Sequence, residues 1–372
     1  MEWLNVTGGF DYGALHNYAG IETMRSGAVW VGVSAQQVGI EGGAGPGAAF
    51  ALNNADPERY GGLTHPGDDW SYDIFSQAGA AVWFDKDVLG GLEPKRLIAF
   101  GWSQSASRLT TYVNALAPSM HVYNAYLLRR RFGFAFPLST DIAGPAAARM
   151  RTDLDVPVFV LETEGDVLHE SLGYAPARQP DTRLLRIWEI AGAAHGDTYS
   201  HRLSVDDDGS ITTDRALFDT MLHPPTEVYD GAITCGRPIN AGPAAYVLRA
   251  VLRHIDAWAR DGTAPPKQPP LELAPGIRDA ARDEHGNARG GVRTPHVDAP
   301  VATLSGVGNS GCPLFGTTAP FDATTLAAAY HDNAAFVAAW NKATAKSVRR
   351  GIILAEDAKR LRAVAKESSV GT

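Results

Sequence analysis

Cysteine is nearly absent from this chain: 372 residues carry only Cys235 and Cys312. So few thiols exclude a disulfide framework of the kind that staples small secreted domains. Two separate thiols are the simpler reading. The alternative is one bridge closing 77 residues (312 − 235) between Thr234-Cys235-Gly236-Arg237-Pro238 and Gly311-Cys312-Pro313. Basic charge is also scarce. Lys and Arg number 33 against 41 Asp and Glu, a net charge of −8, which argues against nucleic acid as the main partner. No apolar run approaches the ~18 residues needed to span a bilayer, so no membrane span is expected. Met1-Glu2-Trp3-Leu4-Asn5 has neither the basic nor the apolar region of a signal peptide. As written the chain reads as cytoplasmic, and as secreted if an N-terminal segment has been removed.

Other chemistries are missing too. No Cys/His spacing suits zinc. The glycines between Gly39 and Gly47 are not followed by Lys-Ser/Thr, so no phosphate cradle is expected. Ser204 to Asp214 has the look of a calcium loop, but Arg215 stands where the twelfth-position Glu is needed. Asp208-Gly209 within it reads as a hairpin turn. No metal and no organic cofactor is called for.

What is present is core material: 45% apolar and 20% charged residues. Short apolar strands alternate with helical stretches. Strands are expected over 3–6, 28–33, 96–100, 122–128, 156–161 and 184–190. Helices are expected over 14–26, from Asp68, Asp69 or Ser71 to about Trp83, and over 104–117, stopping before Pro118. Residues 38–69 read as a long loop. This alternation argues for a mostly parallel central sheet flanked by helices, an α/β fold. One domain is expected over 1–372. Its excursions are a lid or cap segment at 129–152, a Gly/Pro-rich stretch at 264–320, and C-terminal helices at 324–346 and 355–367 after an amphipathic helix at 243–260.

The chemistry centres on Gly101-Trp102-Ser103-Gln104-Ser105, between the strand 96–100 and the helix that follows. A nucleophile elbow needs small residues two positions either side of its serine, because the strand-to-helix turn is so tight. Gly101 and Ser105 meet that need. A helix N-terminus there aims backbone N–H groups at a developing oxyanion. An acid and then a histidine should follow, each after its own strand. His195 fits, in Gly192-Ala193-Ala194-His195-Gly196. The candidates for the acid are Glu162, Glu164 and Asp166, in Leu161-Glu162-Thr163-Glu164-Gly165-Asp166; Asp166 is the best placed and Glu164 the next. The oxyanion hole would draw on the N–H of Gln104 and that of Gly9 or Phe10, in Thr7-Gly8-Gly9-Phe10. Phe132, Phe134 and Phe136 alternate as on a strand, either packing in the core or lining an acyl pocket. Trp102 and the first two of these phenylalanines are the candidate pocket residues.

Further runs are Glu2-Trp3-Leu4-Asn5-Val6-Thr7-Gly8-Gly9, Trp30-Val31-Gly32-Val33-Ser34-Ala35-Gln36, Asp56-Pro57-Glu58-Arg59-Tyr60-Gly61 and His65-Pro66-Gly67-Asp68. Ser71-Tyr72-Asp73-Ile74-Phe75-Ser76-Gln77, Ala177-Arg178-Gln179-Pro180-Asp181, Trp188-Glu189-Ile190-Ala191-Gly192 and Gly290-Gly291-Val292-Arg293-Thr294-Pro295 follow. In these and in the elbow the chain resembles the alpha/beta hydrolase domain-containing, esterase-like family of bacteria. The resemblance implies an α/β-hydrolase fold and a serine hydrolase acting on a small-molecule carboxylic ester. An amidase, an acyltransferase or a non-catalytic binding protein on the same fold are the alternatives. Two departures stand out. Members usually carry strands before Trp-Leu-Asn, whereas Met1 stands almost on it. Either the N-terminus is truncated, or an open sheet edge is covered otherwise, as in a homodimer. And Arg129-Arg130-Arg131-Phe132 replaces a more polar segment.

Overall fold

Apolar runs that lack alternation belong in the middle of a parallel sheet, buried on both faces. The computed structural model, which describes residues 1–139, 144, 147–276 and 279–371, has that sheet. Its strands are β1 (Glu2–Trp3), β2 (Gly32–Val33), β3 (Ile98–Trp102), β4 (Ala125–Arg129), β5 (Val158–Thr163) and β6 (Leu185–Ile190). They lie in the order β2-β1-β3-β4-β5-β6, every neighbouring pair parallel. β4 and β5 are buried at every residue. The first two strands are shorter than expected. The chain leaves the ladder at Asn5, whose backbone pairs with Tyr12 and whose side-chain amide donates to the Trp102 carbonyl at 2.8 Å. That bond ties the loop after β1 to the elbow after β3.

The helix Ala14–Arg25 packs on Ala244–Asp261, and the latter reaches β4 and β5. Val251, Ile255 and Trp258 of the longer helix are buried, each removing about 1.5–3 kcal/mol of apolar exposure from water. The helices Ser71–Phe84 and Gln104–Thr111 form a second group with the turn after them: Phe75 packs edge-on to Tyr112, and Ser76 Oγ lies 2.8 Å from the Tyr112 hydroxyl. The expected stop before Pro118 does not occur. A π-helical turn, Tyr112–Leu116, widens the helix, and a last turn, Ala117–Met120, takes the proline at its start, where no N–H is needed.

Other expectations need correction. Residues 38–69 hold short helical turns at Gln37–Glu41, Leu52–Ala55 and Pro57–Tyr60. Asp208-Gly209 is no hairpin: Ser210 caps the helix Ile211–Leu222, its hydroxyl accepting from Thr212 N. The single helix expected over 324–346 is two, Ala323–Ala329 and Asn333–Arg349, the second started by the Asp332 side chain, which accepts from Ala335 N. Within 264–320, Val292 bridges Ile190 in parallel and covers the outer edge of β6. The hairpin of β9 (Ala302–Ser305) with β10 (Thr317–Pro320) follows, the small pair β7 (Glu227–Val228) and β8 (Ile233–Thr234) preceding it in the chain. Cys235 and Cys312 are bridged, not separate, with their Cα atoms 5.4 Å apart. Residues 140–143 and 145–146 of the expected lid lie outside the described residues. No helix among those described is long and apolar enough to cross a membrane.

Candidate active site

Ser103 follows the last residue of β3 and precedes the helix Gln104–Thr111. Its backbone is at φ 57°, ψ −119°, a region that non-glycine residues enter only when the surroundings over-determine it. The elbow's sequence requirements follow from contacts. A Cβ on Gly101 would lie 2.8 Å from backbone atoms of Ser105 and Ala106, so no larger residue fits without shifting the helix start. At Ser105 the extra atoms are useful: the buried hydroxyl accepts from Trp102 N and donates to Trp102 O, both at 3.0 Å. A serine here closes the turn on itself.

Asp166 sits one turn into the short helix Glu164–Leu168 after β5. A capping box holds it: Oδ2 accepts from Thr163 N at 2.8 Å and from Thr163 Oγ1 at 2.6 Å. Oδ1 is thereby aimed at His195 Nδ1, 2.6 Å away, with both residues buried. Burial raises the Asp166 pKa, but His195, Arg130 and Thr163 more than offset it, so the carboxyl lies below its ordinary value. Glu164 points elsewhere. Its Oε2 accepts from Gly192 N at 2.9 Å, and its Oε1 from Arg282 Nη1 at 2.8 Å and Ser305 Oγ at 3.1 Å. It joins the end of β5 to the loop after β6 and to the 264–320 segment.

His195 is reached through that loop, and aromatic rings flank it. Trp102 stacks at 5.5 Å between centroids and Phe132 at 6.2 Å. Phe134 contacts Phe132 at 5.1 Å and Phe136 at 5.5 Å, extending the apolar ground away from the imidazole. These phenylalanines are half-buried and form no strand, contrary to the alternation in the sequence. Among the described residues no hydrogen bond joins Ser103 Oγ to His195 Nε2. The Trp102 Nε1 and Gln104 Oε1 atoms beside the serine are buried without a partner there. The Gly9 N–H donates to the Val6 carbonyl at 2.9 Å, whereas the N–H groups of Phe10 and Gln104 have no partner among the described residues. Gly47 supports this loop closely: a Cβ on it would lie 1.7 Å from Gly8 O.

Several residues behind the site were not picked out from sequence. Asn5 and Thr163 are two. Asp197 is another, buried against Arg130 at 2.9 Å. The signal for this pair was present: three arginines at the end of an apolar strand must be buried and so need partners. Glu162, by contrast, was a candidate acid, but Asp166 is the carboxylate on His195; Glu162 is fully buried, and burial followed by the Asp166 charge pushes its carboxyl well above its ordinary value. Among the described residues no group of three His, Cys, Asp or Glu side chains could hold a metal ion.

A six-stranded parallel sheet with a sharp strand-turn-helix bearing a serine at its C-terminal edge defines the α/β-hydrolase fold. The chain belongs to the family described as alpha/beta hydrolase domain, whose model matches residues 1–363. Among curated proteins nothing matches it, and among solved structures nothing matches either.

Proposed function

We propose that this hydrolase cleaves a carboxylic ester through an acyl-enzyme on Ser103, with His195 as general base and acid and Asp166 as its buried partner. The observation that carries the reading is the 2.6 Å contact of Asp166 Oδ1 with His195 Nδ1, at the same sheet edge as a serine in the elbow conformation. A carboxylate there keeps the proton on Nδ1 and leaves Nε2 free to accept one. As Ser103 Oγ bonds the ester carbonyl carbon, its proton passes to Nε2. The carbonyl electron pair moves onto oxygen, where the N–H groups of Gln104 and Phe10 are the free donors. The tetrahedral adduct collapses, the C–O bond to the alcohol breaks, and Nε2 protonates the leaving oxygen. Water then gives a proton to Nε2 as it attacks the acyl carbon. The second collapse returns that proton to Ser103 Oγ and frees the carboxylic acid. The Ser103–His195 hydrogen bond closes when substrate arrives, as catalytic contacts in unliganded sites commonly do.

The substrate is a small-molecule ester, its apolar part lying along Trp102, Phe132 and Phe134, the rings grouped beside His195. Pre-steady-state hydrolysis of a short p-nitrophenyl ester tests the reading. The expected result is a burst of about one equivalent of p-nitrophenol that Ser103→Ala abolishes. Undiminished turnover by Ser103→Ala would rule it out.

A further inference from the structure

The run Arg129-Arg130-Arg131 takes no part in the steps above, yet all three side chains are buried. A buried guanidinium is tolerated only where partners replace its water. Arg129 lies 5.0 Å from the centre of the Tyr18 ring. Arg131 is held by Thr110 Oγ1 at 2.9 Å and by the Ala148 carbonyl. Both serve packing. Arg130 differs, because its two acceptors belong to the loop that carries His195. Nη1 donates to the His195 carbonyl, and Nη2 to Asp197 Oδ2 at 2.9 Å. Asp197 Oδ1 in turn accepts from Ser200 N at 2.7 Å, fixing the turn beyond.

The partner on the opposite side makes the arrangement specific. Gly196 N donates to the Leu314 carbonyl at 2.7 Å. The His195 carbonyl and the Gly196 N–H belong to one peptide unit, so both its polar groups are gripped, one by Arg130 and one by Leu314. With Nδ1 on Asp166, the histidine is fixed at three points. Arg130 itself has φ 55°, left-handed and unfavourable by roughly 1–2 kcal/mol for a residue with a Cβ. Its own N–H donates to the Leu161 carbonyl at 2.8 Å, which anchors it to β5. A bent, anchored arginine directs its guanidinium at this one loop.

We infer that Arg130 is a positioning residue for His195: its guanidinium sets the plane of the His195–Gly196 peptide and so holds the imidazole on Asp166. The inference rests on His195 being the base of the hydrolase proposed above. A pair needed only for folding would require opposite charges and nothing more. A positioning fork requires two parallel donors, which lysine lacks.

Two variants separate these roles. Arg130→Lys keeps the charge opposite Asp197 but loses the fork. The double change Arg130→Gln with Asp197→Asn removes both charges and leaves neither buried alone, so it decides the matter if the lysine variant does not fold. The expected result in folded variant is a fall in kcat of at least about tenfold on a short p-nitrophenyl ester, with KM within about twofold, because small misplacement of a catalytic group costs rate rather than binding. The downfield proton resonance of His195 Nδ1–H, recorded without substrate, should broaden or move upfield. An unchanged resonance with kcat within twofold of the parent, whatever the thermal stability, would overturn the inference. If the parent protein turns over no ester, the hydrolase reading fails, and the resonance alone still decides whether Arg130 orients His195.

Discussion

Replacing Asp166 by Asn perturbs one atom and should reverse a tautomer. The carboxylate has two engaged oxygens, Oδ2 on Thr163 N and Oγ1 and Oδ1 on His195 Nδ1. An amide has only one oxygen. The Thr163 N–H can only donate, so the amide oxygen turns to it and the NH2 group faces Nδ1. Nδ1 must then accept, the imidazole proton moves to Nε2, and the base loses the lone pair that would take the Ser103 proton. The expected loss in kcat is about 10³–10⁴-fold with little change in KM, as for a wrong-tautomer triad histidine elsewhere. Glu164→Gln gives the contrast. It puts an amide beside Arg282 and Ser305 and weakens the support of the loop after β6, so it should lower stability by about 1–3 kcal/mol and leave kcat within a few-fold. Steady-state kinetics on a p-nitrophenyl ester, with thermal melts of both variants, reads the difference. An Asp166→Asn enzyme within about tenfold of parent kcat, beside a Glu164→Gln enzyme that is orders of magnitude slower, would refute the reasoning.

Three further outcomes follow from single contacts. His296 is buried against Tyr246 and Trp340, and burial lowers its pKa to about 3. The folded state thus binds fewer protons than the unfolded one below the ordinary value of 6.5, and stability present above that pH is lost as pH falls. Between pH 6.5 and 4 the loss is about 3 kcal/mol, and His296→Phe should flatten that part of a stability–pH curve measured in urea. The Cys235–Cys312 bridge closes a 77-residue loop, worth about 4.5 kcal/mol in the chain-entropy model. Its double Ser replacement should lower Tm by about 6 °C in a chain this long, and an unchanged Tm would count against the bridge. Gly47→Ala should displace the loop bearing Phe10, since its Cβ would meet Gly8 O. A fall in kcat with Ser103 still open to covalent labelling is expected, and unaltered kinetics would remove that loop from oxyanion binding.

The interior strands were legible in part from composition: Ile98–Phe100 and Val158–Leu161 are wholly apolar and leave no face for water, whereas Leu185–Ile190 carries Arg186 and Glu189, whose burial depends on Asp181 and Arg178. The placement of Ser103, Asp166 and His195, each after its own strand, was legible because strand and helix alternate along the chain. Choosing between Glu164 and Asp166 was a matter of geometry. Both follow β5, and the capping by Thr163 decides which carboxylate faces His195. The first two strands were overcalled because Val6 and Ala28–Val31 have strand composition; past Leu4 the Asn5 backbone turns to pair with Tyr12 and its side chain bonds the elbow. Helix bounds were misread twice for local reasons: a π turn lets the helical path run on through Pro118, and the capping Asp332 starts a second helix within an alanine-rich run. The arginine run was noticed only as a departure. Its meaning depends on Asp197, which only the folded loop brings to Arg130.

The central claim is that Ser103 is an activated nucleophile, and a fluorophosphonate tests it without knowledge of the substrate. Intact-mass and peptide analysis of the folded protein should show one adduct, on the peptide containing Ser103, and none after Ser103→Ala. No adduct, or one on another residue that persists in Ser103→Ala, would contradict it.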